Sequence, residues 1–391
     1  MRANGEMNVG KTAFGLPDRR EGRLVVRISA DKEIVVAVSN GGDVVRQHPA
    51  DHVRFVPKGD EDGEALLRRA GDLLIFNWAQ YMDPSIKKSF SDRYGVAVNE
   101  VNFDNLEAMV TKLRAGGSYD LIFPSTEYVQ RLRNEQLIRP FDRAKLKSAA
   151  TLTPYFDNPW YDPNSEFSVP YTYYTTGIAW NTDEVDTMTG SWNDLSNEQA
   201  LGRIFMLDDF QEGIGQANLL NGFYLNTEKS DQLETSKGTL LDQKEGLRGF
   251  STNSVQNLVS GSAAVTQAWN GDVVNARNQV DDPSVFAYET CREGVPVGSD
   301  LMCIPITSKS PGTAMVFMDW ILRPDNAYKN VMWNGYPMPV AGGREAFAKL
   351  VKDDPSIDVN LDQLSDSAME FRLDNPEARQ EWTRIWTEVK A

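Results

Sequence analysis

From residue 71 onward, short apolar runs alternate with helix-like segments, and this alternation limits the fold more than any other feature of the sequence. The run "DLLIFNW" is typical of a buried strand, and "SIKKSFSDRYG" after it is typical of a helix that ends at Gly95. The pattern then repeats in "VAVNEVNF", "NLEAMVTKLRAGG", "YDLIFPS" and "TEYVQRLRNEQ". Such alternation predicts βαβ units, and therefore an α/β fold with a mainly parallel, doubly wound sheet.

The stretch "EFSVPYTYYTTGIAWNTDEV" (166–185) contains two strand-like runs with no long helix between them, and it could cross from one lobe of the fold to another. Beyond it, "RIFMLDDFQEGIGQANLLNGFY" has the pattern of strand, loop and helix, and "LVSGSAAVTQAWNGDVVNARNQ" repeats that pattern. The sequence therefore predicts a second α/β unit.

Residues 1–70 have a different pattern. Two β-type runs, "LVVRIS" and "EIVVAVS", are followed by the turn signal "NGG" and then by the charged, Gly-punctuated stretch "VPKGDEDGEALLRRAGD". We expect residues 1–70 to be an N-terminal extension that forms a small β unit or is partly disordered.

The predicted sheet also indicates where a ligand would bind. Ligands of doubly wound sheets lie outside the carboxyl ends of the strands. Trp78, Tyr81 and Ser125 all follow predicted strands at such ends. Their positions predict a cleft at this edge of the sheet.

Residue counts exclude several kinds of chemistry. The only histidines are His48 and His52, so residues 53–391 hold no His-based triad, general base or His-rich metal site. The net charge of −16 argues against a nucleic-acid partner, and carboxylates clustered in a cleft would suit a cationic ligand. There is no phosphate loop or dinucleotide fingerprint, and no run approaches the roughly 18 apolar residues of a membrane span.

The two cysteines, Cys291 and Cys303, flank "REGVPVGSDLM", which has the pattern of two short strands around a Gly/Pro turn. Near-equal offsets from that turn could make them cross-strand neighbours at disulfide distance. The alternative is a pair of buried free thiols. Two cysteines are too few for a structural zinc site.

Four aromatic residues lie at predicted strand-to-loop junctions: Trp78, Tyr81, Trp269 and Tyr336. Each of them could simply pack in the core. Alternatively, aromatic faces attract ammonium groups and contact methylene chains.

The acidic candidates also allow two interpretations. Asp209 and Glu212 in "LDDFQEG" have the spacing of a helix N-cap and its third-residue glutamate, yet they could equally direct two carboxylates at an amine. Asp272 follows "WNG", and Asp300 precedes an apolar strand, where it could cap a turn. Ser125 is an improbable nucleophile because no histidine can activate it. A glycosidase-like pair of carboxylates is not excluded by residue type, although no acid lies in an evident apolar pocket.

Residues from about 72 to 391 resemble the polyamine-binding proteins of bacterial ABC importers, the spermidine/putrescine periplasmic binding proteins. The matching stretches occur in the family's order: "FNWAQYMDPSIKKSF", "YDLIFPSTEYV", "SVPYTYYTTGIAWN", "LLDQKEG", "AWNGD", "SDLMCIP", "FMDWILRPDNA" and "NGYPMPV".

The resemblance implies a two-lobed periplasmic-binding-protein fold of type II, with a doubly wound mixed sheet and flanking helices in each lobe. Residues 71–177 plus 299–344 would form lobe 1, and residues 178–298 plus 345–391 would form lobe 2. The ligand would bind in the cleft between the lobes. The residues that would line this cleft are Trp78, Tyr81, Ser125, Glu127, Asp209, Glu212, Trp269, Asp272, Asp300 and Tyr336.

The resemblance also implies roles for these residues. Asp209 and Glu212 would bind one terminal amine, Asp300 would bind an inner amino group, and Trp269 would stack on the methylene chain. Asp272 matches an acidic position of the putrescine-type members.

This chain departs from the family pattern at three positions. Glu127 stands where relatives carry an aromatic residue, which adds a carboxylate. Gly298 replaces an aromatic residue two positions before Asp300, which thins one aromatic wall. Arg372 aligns with a position where a neutral amide is common, and it could bring a cation near the ligand.

The function implied by the resemblance is capture of a polyamine by a non-catalytic, monomeric binding protein that closes by hinge bending, needs no cofactor or metal, and delivers its ligand to a membrane-embedded ABC permease. The alternatives are a binding protein for another cationic or polar solute and, in a different class, a carboxylate-dependent hydrolase. No secretory signal is visible in the first 22 residues. We nevertheless expect a periplasmic or extracytoplasmic location, because the family is normally exported or lipid-anchored.

Overall fold

The computed structural model of the chain describes residues 71–352, 354–359, 368–373 and 375–391, together with the backbone of residues 23–28 and 34–39. The chain divides into two compact units, Met1–Asp51 and His52–Ala391. None of the described helices is both long enough and apolar enough to cross a membrane.

In the first unit, β1 (Arg23–Ile28) pairs antiparallel with β2 (Ile34–Ser39). These strands coincide with the two β-type runs of the sequence. The predicted disorder in residues 1–70 concerns positions outside the described residues.

In the second unit, strands and helices alternate along most of the chain. The strands are β3 (Leu73–Asn77), β4 (Val98–Asn102), β5 (Leu121–Ile122), β6 (Ser168–Asn181), β7 (Ile204–Met206), β8 (Leu247–Phe250), β9 (Val265–Trp269), β10 (Phe286–Glu289), β11 (Val295–Cys303) and β12 (Ala368–Glu370). The helices are α1 (Pro84–Tyr94), α2 (Leu106–Arg114), α3 (Thr126–Asn134), α4 (Phe210–Leu220), α5 (Ser230–Lys244), α6 (Ser254–Val259), α7 (Asn270–Arg277), α8 (Pro311–Ile321), α9 (Pro324–Asn334), α10 (Ala341–Leu350) and α11 (Pro376–Lys390).

Strands β3 to β12 form one mixed sheet in the order β4-β3-β5-β11-β6-β9-β7-β8, with β10 paired to β6 and β12 paired to β11. Strands β4, β3 and β5 run parallel and are called the first strand group. Strands β9, β7 and β8 also run parallel and are called the second strand group. The pairings of β11 with β5, of β11 with β6 and of β6 with β9 are antiparallel. The expected parallel pairing therefore holds within each group, and antiparallel strands join the two groups.

Strand β6 is one continuous strand of 14 residues, where the sequence predicted two separate runs. Gly177 does not interrupt it. A Cβ at this position would lie 2.9 Å from Cζ of Tyr288 on the neighbouring strand β10. The glycine thus marks a close approach of two strands and not a break in one.

Of the two alternatives for Cys291 and Cys303, the structure has the pair of buried free thiols and not the disulfide. Strands β10 and β11 pair with β6 and not with each other. Cys303 is opposite Ser168, whereas Glu289, two residues before Cys291, is opposite Ile178. The distance from residue 168 to residue 178 along an extended strand is about 33 Å, far beyond disulfide reach.

The C-terminal helix α11 completes one of the apolar cores. Its buried residues are Ala378, Trp382, Ile385, Trp386 and Val389, which follow the spacing of one helical face. Trp382 and Ile385 pack in the same cluster as Ile204 and Met206 of β7. The helix therefore covers the second strand group.

Two glycines that occupy the second position of their helices provide a matched test of the packing between α9 and α10. A Cβ at Gly342 would lie 2.6 Å from the backbone carbon of Pro324, whereas nothing lies within 4 Å of a Cβ at Gly312. We expect Gly342→Ala to lower the free energy of unfolding by about 1–3 kcal/mol, because backbone atoms cannot move aside cheaply. Gly312→Ala should leave it unchanged or raise it by about 0.5–1 kcal/mol. Chemical denaturation compares the two, and equal stabilities would contradict the proposed packing.

Candidate functional site

One cavity of about 410 Å³ is lined by all ten residues that the family resemblance implied for the site. Its walls come from the first strand group, from the second strand group and from the antiparallel strands between them. The further lining residues include Phe103, Tyr174, Gln211, Phe250 and Asn275.

Helix N-termini bring three of the acidic residues to the cavity. Glu127 lies in the first turn of α3, Glu212 in the first turn of α4 and Asp272 in the first turn of α7. The N-terminal end of a helix favours a negative charge, so each backbone stabilises the acid that it presents. The sequence predicted that these acids lie near helix starts, because the residues that mark a strand–helix junction are close together in the sequence.

Asp300, in strand β11, is the most completely hydrogen-bonded acid of the cavity. The Tyr81 hydroxyl donates to its Oδ2 and the Ser125 hydroxyl donates to its Oδ1, each at 2.6 Å. Asp300 is only 5% exposed to solvent. Burial raises the pKa of Asp300 to about 6, although both hydrogen bonds oppose that rise.

The structure gives the capping role, which the sequence left open between two interpretations, to Asp209. Asp209 is the N-cap of α4, and its Oδ1 accepts from the backbone N–H of Gln211 at 2.8 Å and of Glu212 at 3.2 Å. The Glu212 side chain does not turn back to the cap. Its Oε1 accepts from Thr176 Oγ1 and from Trp269 Nε1, both at 2.9 Å, and its buried Oε2 has no partner.

Asp272 shows the same division between a fixed and an open oxygen. Its Oδ1 accepts from the Tyr336 hydroxyl at 2.6 Å, and its buried Oδ2 has no partner. Burial raises the pKa of Asp272 to about 7 and that of Glu212 to about 8, and in Glu212 the neighbouring charge of Asp209 adds to the rise.

Glu127 is buried beside the other acids. Burial, followed by the negative charges of Asp209 and Asp300, raises its pKa to about 8. Its Oε2 accepts a hydrogen bond of 3.3 Å from the Thr126 hydroxyl. Sequence reasoning found no acid with a raised pKa, because burial by distant segments is not visible in local sequence.

No lysine, arginine or histidine is among the described residues that line the cavity. Asp208 at its edge pairs with Lys390 at 2.5 Å, but the five acids described above have only neutral hydrogen-bond donors in the observed contacts. Within the described chain, no three His, Cys, Asp or Glu residues form a group that could hold a metal ion. The arrangement suits a ligand that brings its own positive charges and N–H donors.

Arg372, which could bring a cation near the ligand, is not among the residues that line the cavity. Its guanidinium lies 3.2 Å from Glu370 Oε2 and 4.7 Å from the ring centre of Trp160. The Glu370 carboxylate also accepts hydrogen bonds from Tyr155 and Trp160, which together hold this cation away from the cavity.

Tyr174 is a lining residue that sequence reasoning missed. It lies in the middle of β6 and not at a strand end, so the rule that directed attention to strand ends could not find it. Strand alternation offered a signal, because Tyr174 shares one face of β6 with Thr172 and Thr176. Both threonines contact residues of the site, Tyr81 and Glu212.

Comparisons with known proteins agree with this geometry. The model of the family "bacterial extracellular solute-binding protein" matches residues 85–358. The spermidine/putrescine-binding periplasmic protein of Salmonella typhimurium is 28% identical over 323 residues, which are 82% of this chain and 91% of that protein. The protein of the same description from Escherichia coli is 29% identical over 289 residues, covering 73% of this chain and 82% of that protein.

A solved structure extends the comparison to the fold. The spermidine/putrescine ABC transporter substrate-binding protein PotD from Streptococcus pneumoniae superposes with a TM-score of 0.68 at 25% identity, covering 82% of this chain and 98% of that one. The fold is thus that of the type II periplasmic binding proteins, as the family resemblance implied.

The buried acids make the stability of the ligand-free protein depend on pH. A carboxyl whose pKa is higher in the folded state than in the unfolded state stays protonated on folding, so stability falls as pH rises from the unfolded value toward the folded one. Each such group lowers the free energy of unfolding by up to about 1.4 kcal/mol per pH unit in that window. For Glu127 and Glu212 the window runs from the ordinary glutamate pKa of 4.5 to a folded-state pKa of about 8.

We therefore expect the free energy of unfolding to fall between pH 5 and pH 8, and Glu127→Gln and Glu212→Gln each to flatten that fall. Denaturant titrations over this pH range measure it. Glu345→Gln, which changes an exposed glutamate, is the matched control and should run parallel to the parent. If the pH dependence of the free energy of unfolding were the same in all three variants as in the parent, the two cavity glutamates would have ordinary pKa values.

Proposed function

The chain belongs to the bacterial extracellular solute-binding protein family, and we propose that it is the substrate-binding component of an ABC importer that captures a spermidine- or putrescine-like polyamine. The observation that carries the proposal is the cavity itself, which holds four buried acids and the half-buried Asp209 without a lining cation. Relatives that match most of the chain are spermidine/putrescine-binding periplasmic proteins.

The acids bind the ammonium groups of the polyamine. Glu212 Oε2 is a buried acceptor without a protein donor, so an ammonium supplies the hydrogen bond that it lacks. Asp272 Oδ2 also makes no hydrogen bond and can accept from a second ammonium, although the nearby Ser254 hydroxyl lowers the pKa of this carboxyl. Asp300 is held by two hydroxyls and still has lone pairs for a third donor.

The aromatic rings contact the carbon chain between the ammonium groups. Trp269 is held in place by its hydrogen bond to Glu212, so its face stays fixed beside the acid. Tyr81 and Tyr336 lie edge to face with ring centres 5.1 Å apart. Their hydroxyls direct Asp300 and Asp272, and their rings exclude water from the ligand.

Lobe 1 is proposed to comprise residues 71–177 plus 299–344, and lobe 2 residues 178–298 plus 345–391. The first strand group lies in lobe 1 and the second strand group in lobe 2, while β6 passes from one to the other. Ser125 and Glu127 line the cavity from lobe 1, and Asp209 and Glu212 line it from lobe 2. Closure of the lobes around the ligand follows the hinge mechanism of binding proteins.

The proposed protein acts as a monomer, performs no catalysis, and passes the polyamine to a membrane-embedded permease. Its proposed place of action is the periplasm or the extracytoplasmic surface, as in the periplasmic relatives.

Calorimetric titration with spermidine, putrescine, spermine and a neutral sugar tests the proposal. We expect heat with at least one polyamine and none with the sugar. Asp300→Asn and Trp269→Ala should each weaken binding at least about tenfold, since each removes a contact worth about 1.4 kcal/mol or more. Asp325→Asn makes the same chemical change at an exposed position and should bind as the parent does.

Two outcomes would contradict this account at different levels. Absence of heat with every polyamine up to millimolar concentration would exclude polyamine capture. Parental affinity in both Asp300→Asn and Trp269→Ala would exclude the assigned site while leaving the function in place.

Binding should also release protons. Glu127, with a pKa of about 8, is largely protonated in the ligand-free protein at pH 7, and an ammonium beside it favours the charged form. Primary amines stay charged below about pH 10, so we expect affinity to rise between pH 6 and pH 8. Titration in two buffers with different ionisation enthalpies counts the protons released. Glu127→Gln should release fewer, and an unchanged count would show that Glu127 does not face the ligand.

A further inference from the structure

Strand β6 places Tyr174 between two acids of the cavity. Thr172 contacts the Tyr81 hydroxyl and lies opposite Asp300, and Thr176 donates to Glu212 at 2.9 Å. Side chains two residues apart share one face of a strand. The Tyr174 side chain therefore projects from the same face, midway between the threonines that contact the Asp300 and Glu212 sides of the cavity.

Gly298 is the residue opposite Tyr174 in the pairing of β11 with β6. A Cβ built on Gly298 would lie 2.5 Å from Cε2 of the Tyr174 ring, so the ring occupies the space directly over the glycine. The backbone of Gly298 is not in the left-handed region that favours glycine, so space and not conformation excludes a larger residue.

On the neighbouring strand β9, the Trp269 ring packs beside the Tyr174 ring. Trp269 of β9 lies opposite Thr176 of β6, and its ring centre is 5.9 Å from that of Tyr174 at an angle of 63°. Both rings are partly exposed and line the cavity. Two adjacent strands thus present a continuous aromatic surface between the acids.

We propose that Tyr174, seated on Gly298, is a ligand-contacting residue that selects linear aliphatic chains with ammonium groups at two separated positions. This proposal rests on the proposed function. One ammonium lies at Asp300, the other lies at Glu212, and the methylene segment between them lies against the Tyr174 ring. Gly298 itself provides no aromatic ring, but the ring of Tyr174 on β6 occupies the space over it and replaces the missing aromatic surface.

The pair is tested by a double-mutant cycle measured by spermidine calorimetry. Tyr174→Ala should weaken binding about tenfold, because it removes an aromatic face from the methylene chain and from a nearby ammonium. Gly298→Ala should weaken binding as well, since the added methyl group displaces the ring. The double variant should bind no more weakly than Tyr174→Ala alone, because the glycine acts only through the tyrosine.

Two further variants separate stacking from other effects. Tyr174→Phe keeps the ring and should stay within about threefold of the parent. Tyr224→Ala removes a tyrosine that is 59% exposed and lies outside the cavity lining, and it should bind as the parent does. Thermal unfolding of every variant shows that it is folded before its affinity is compared.

The outcomes distinguish this inference from the function on which it rests. Failure of the parent to bind any polyamine overturns the proposed function. Parental affinity in Tyr174→Ala, or losses that add in the double variant, overturn the role of Tyr174 alone. A loss in Tyr174→Phe as large as that in Tyr174→Ala would assign the effect to the hydroxyl and overturn stacking.

Discussion

The antiparallel pairing of β6 with β11 is the constraint on which the sheet and the cavity both depend. It joins the first and second strand groups, whose internal pairings are all parallel. The same register sets Asp300 opposite Thr172 and Gly298 opposite Tyr174. A shift by one residue would turn these side chains to the other face of the sheet, so the register fixes the chemistry as well as the fold.

Buried carboxyl groups without a lining cation make the stability of the ligand-free protein depend on pH. A buried charge without a partner is unfavourable, and the pKa values of Glu127, Glu212 and Asp272 rise so that these groups hold protons. A polycation reverses this, because its charges favour the ionised carboxylates. A neutral sugar or an anion cannot stabilise the ionised carboxylates in this way. The burial that makes ionisation of these acids unfavourable in the ligand-free protein therefore also provides selectivity for polycations.

Local sequence was sufficient to predict the parts of the site that depend on local structure. Trp78 and Ser125 were predicted because strand ends and helix starts have local signals, and the Asp209 cap follows from spacing alone. Tyr174 was missed because it lies in the middle of a strand, whereas attention was directed to strand ends. The choice between a disulfide and free thiols for Cys291 and Cys303 stayed open because it depends on which strands pair with β6. Pairing between distant segments, like the burial that raises pKa values, is set by tertiary contacts.

The hydrogen bonds within the cavity direct the acids before a ligand arrives. In Glu212 and Asp272, neutral donors fix one oxygen and thereby fix where the open oxygen points. A ligand that finds these oxygens already oriented loses less conformational entropy on binding, because the protein side chains are already ordered. We therefore infer that Thr176 and Tyr336, which hold Glu212 and Asp272 in the proposed site, contribute to affinity through the geometry of these acids.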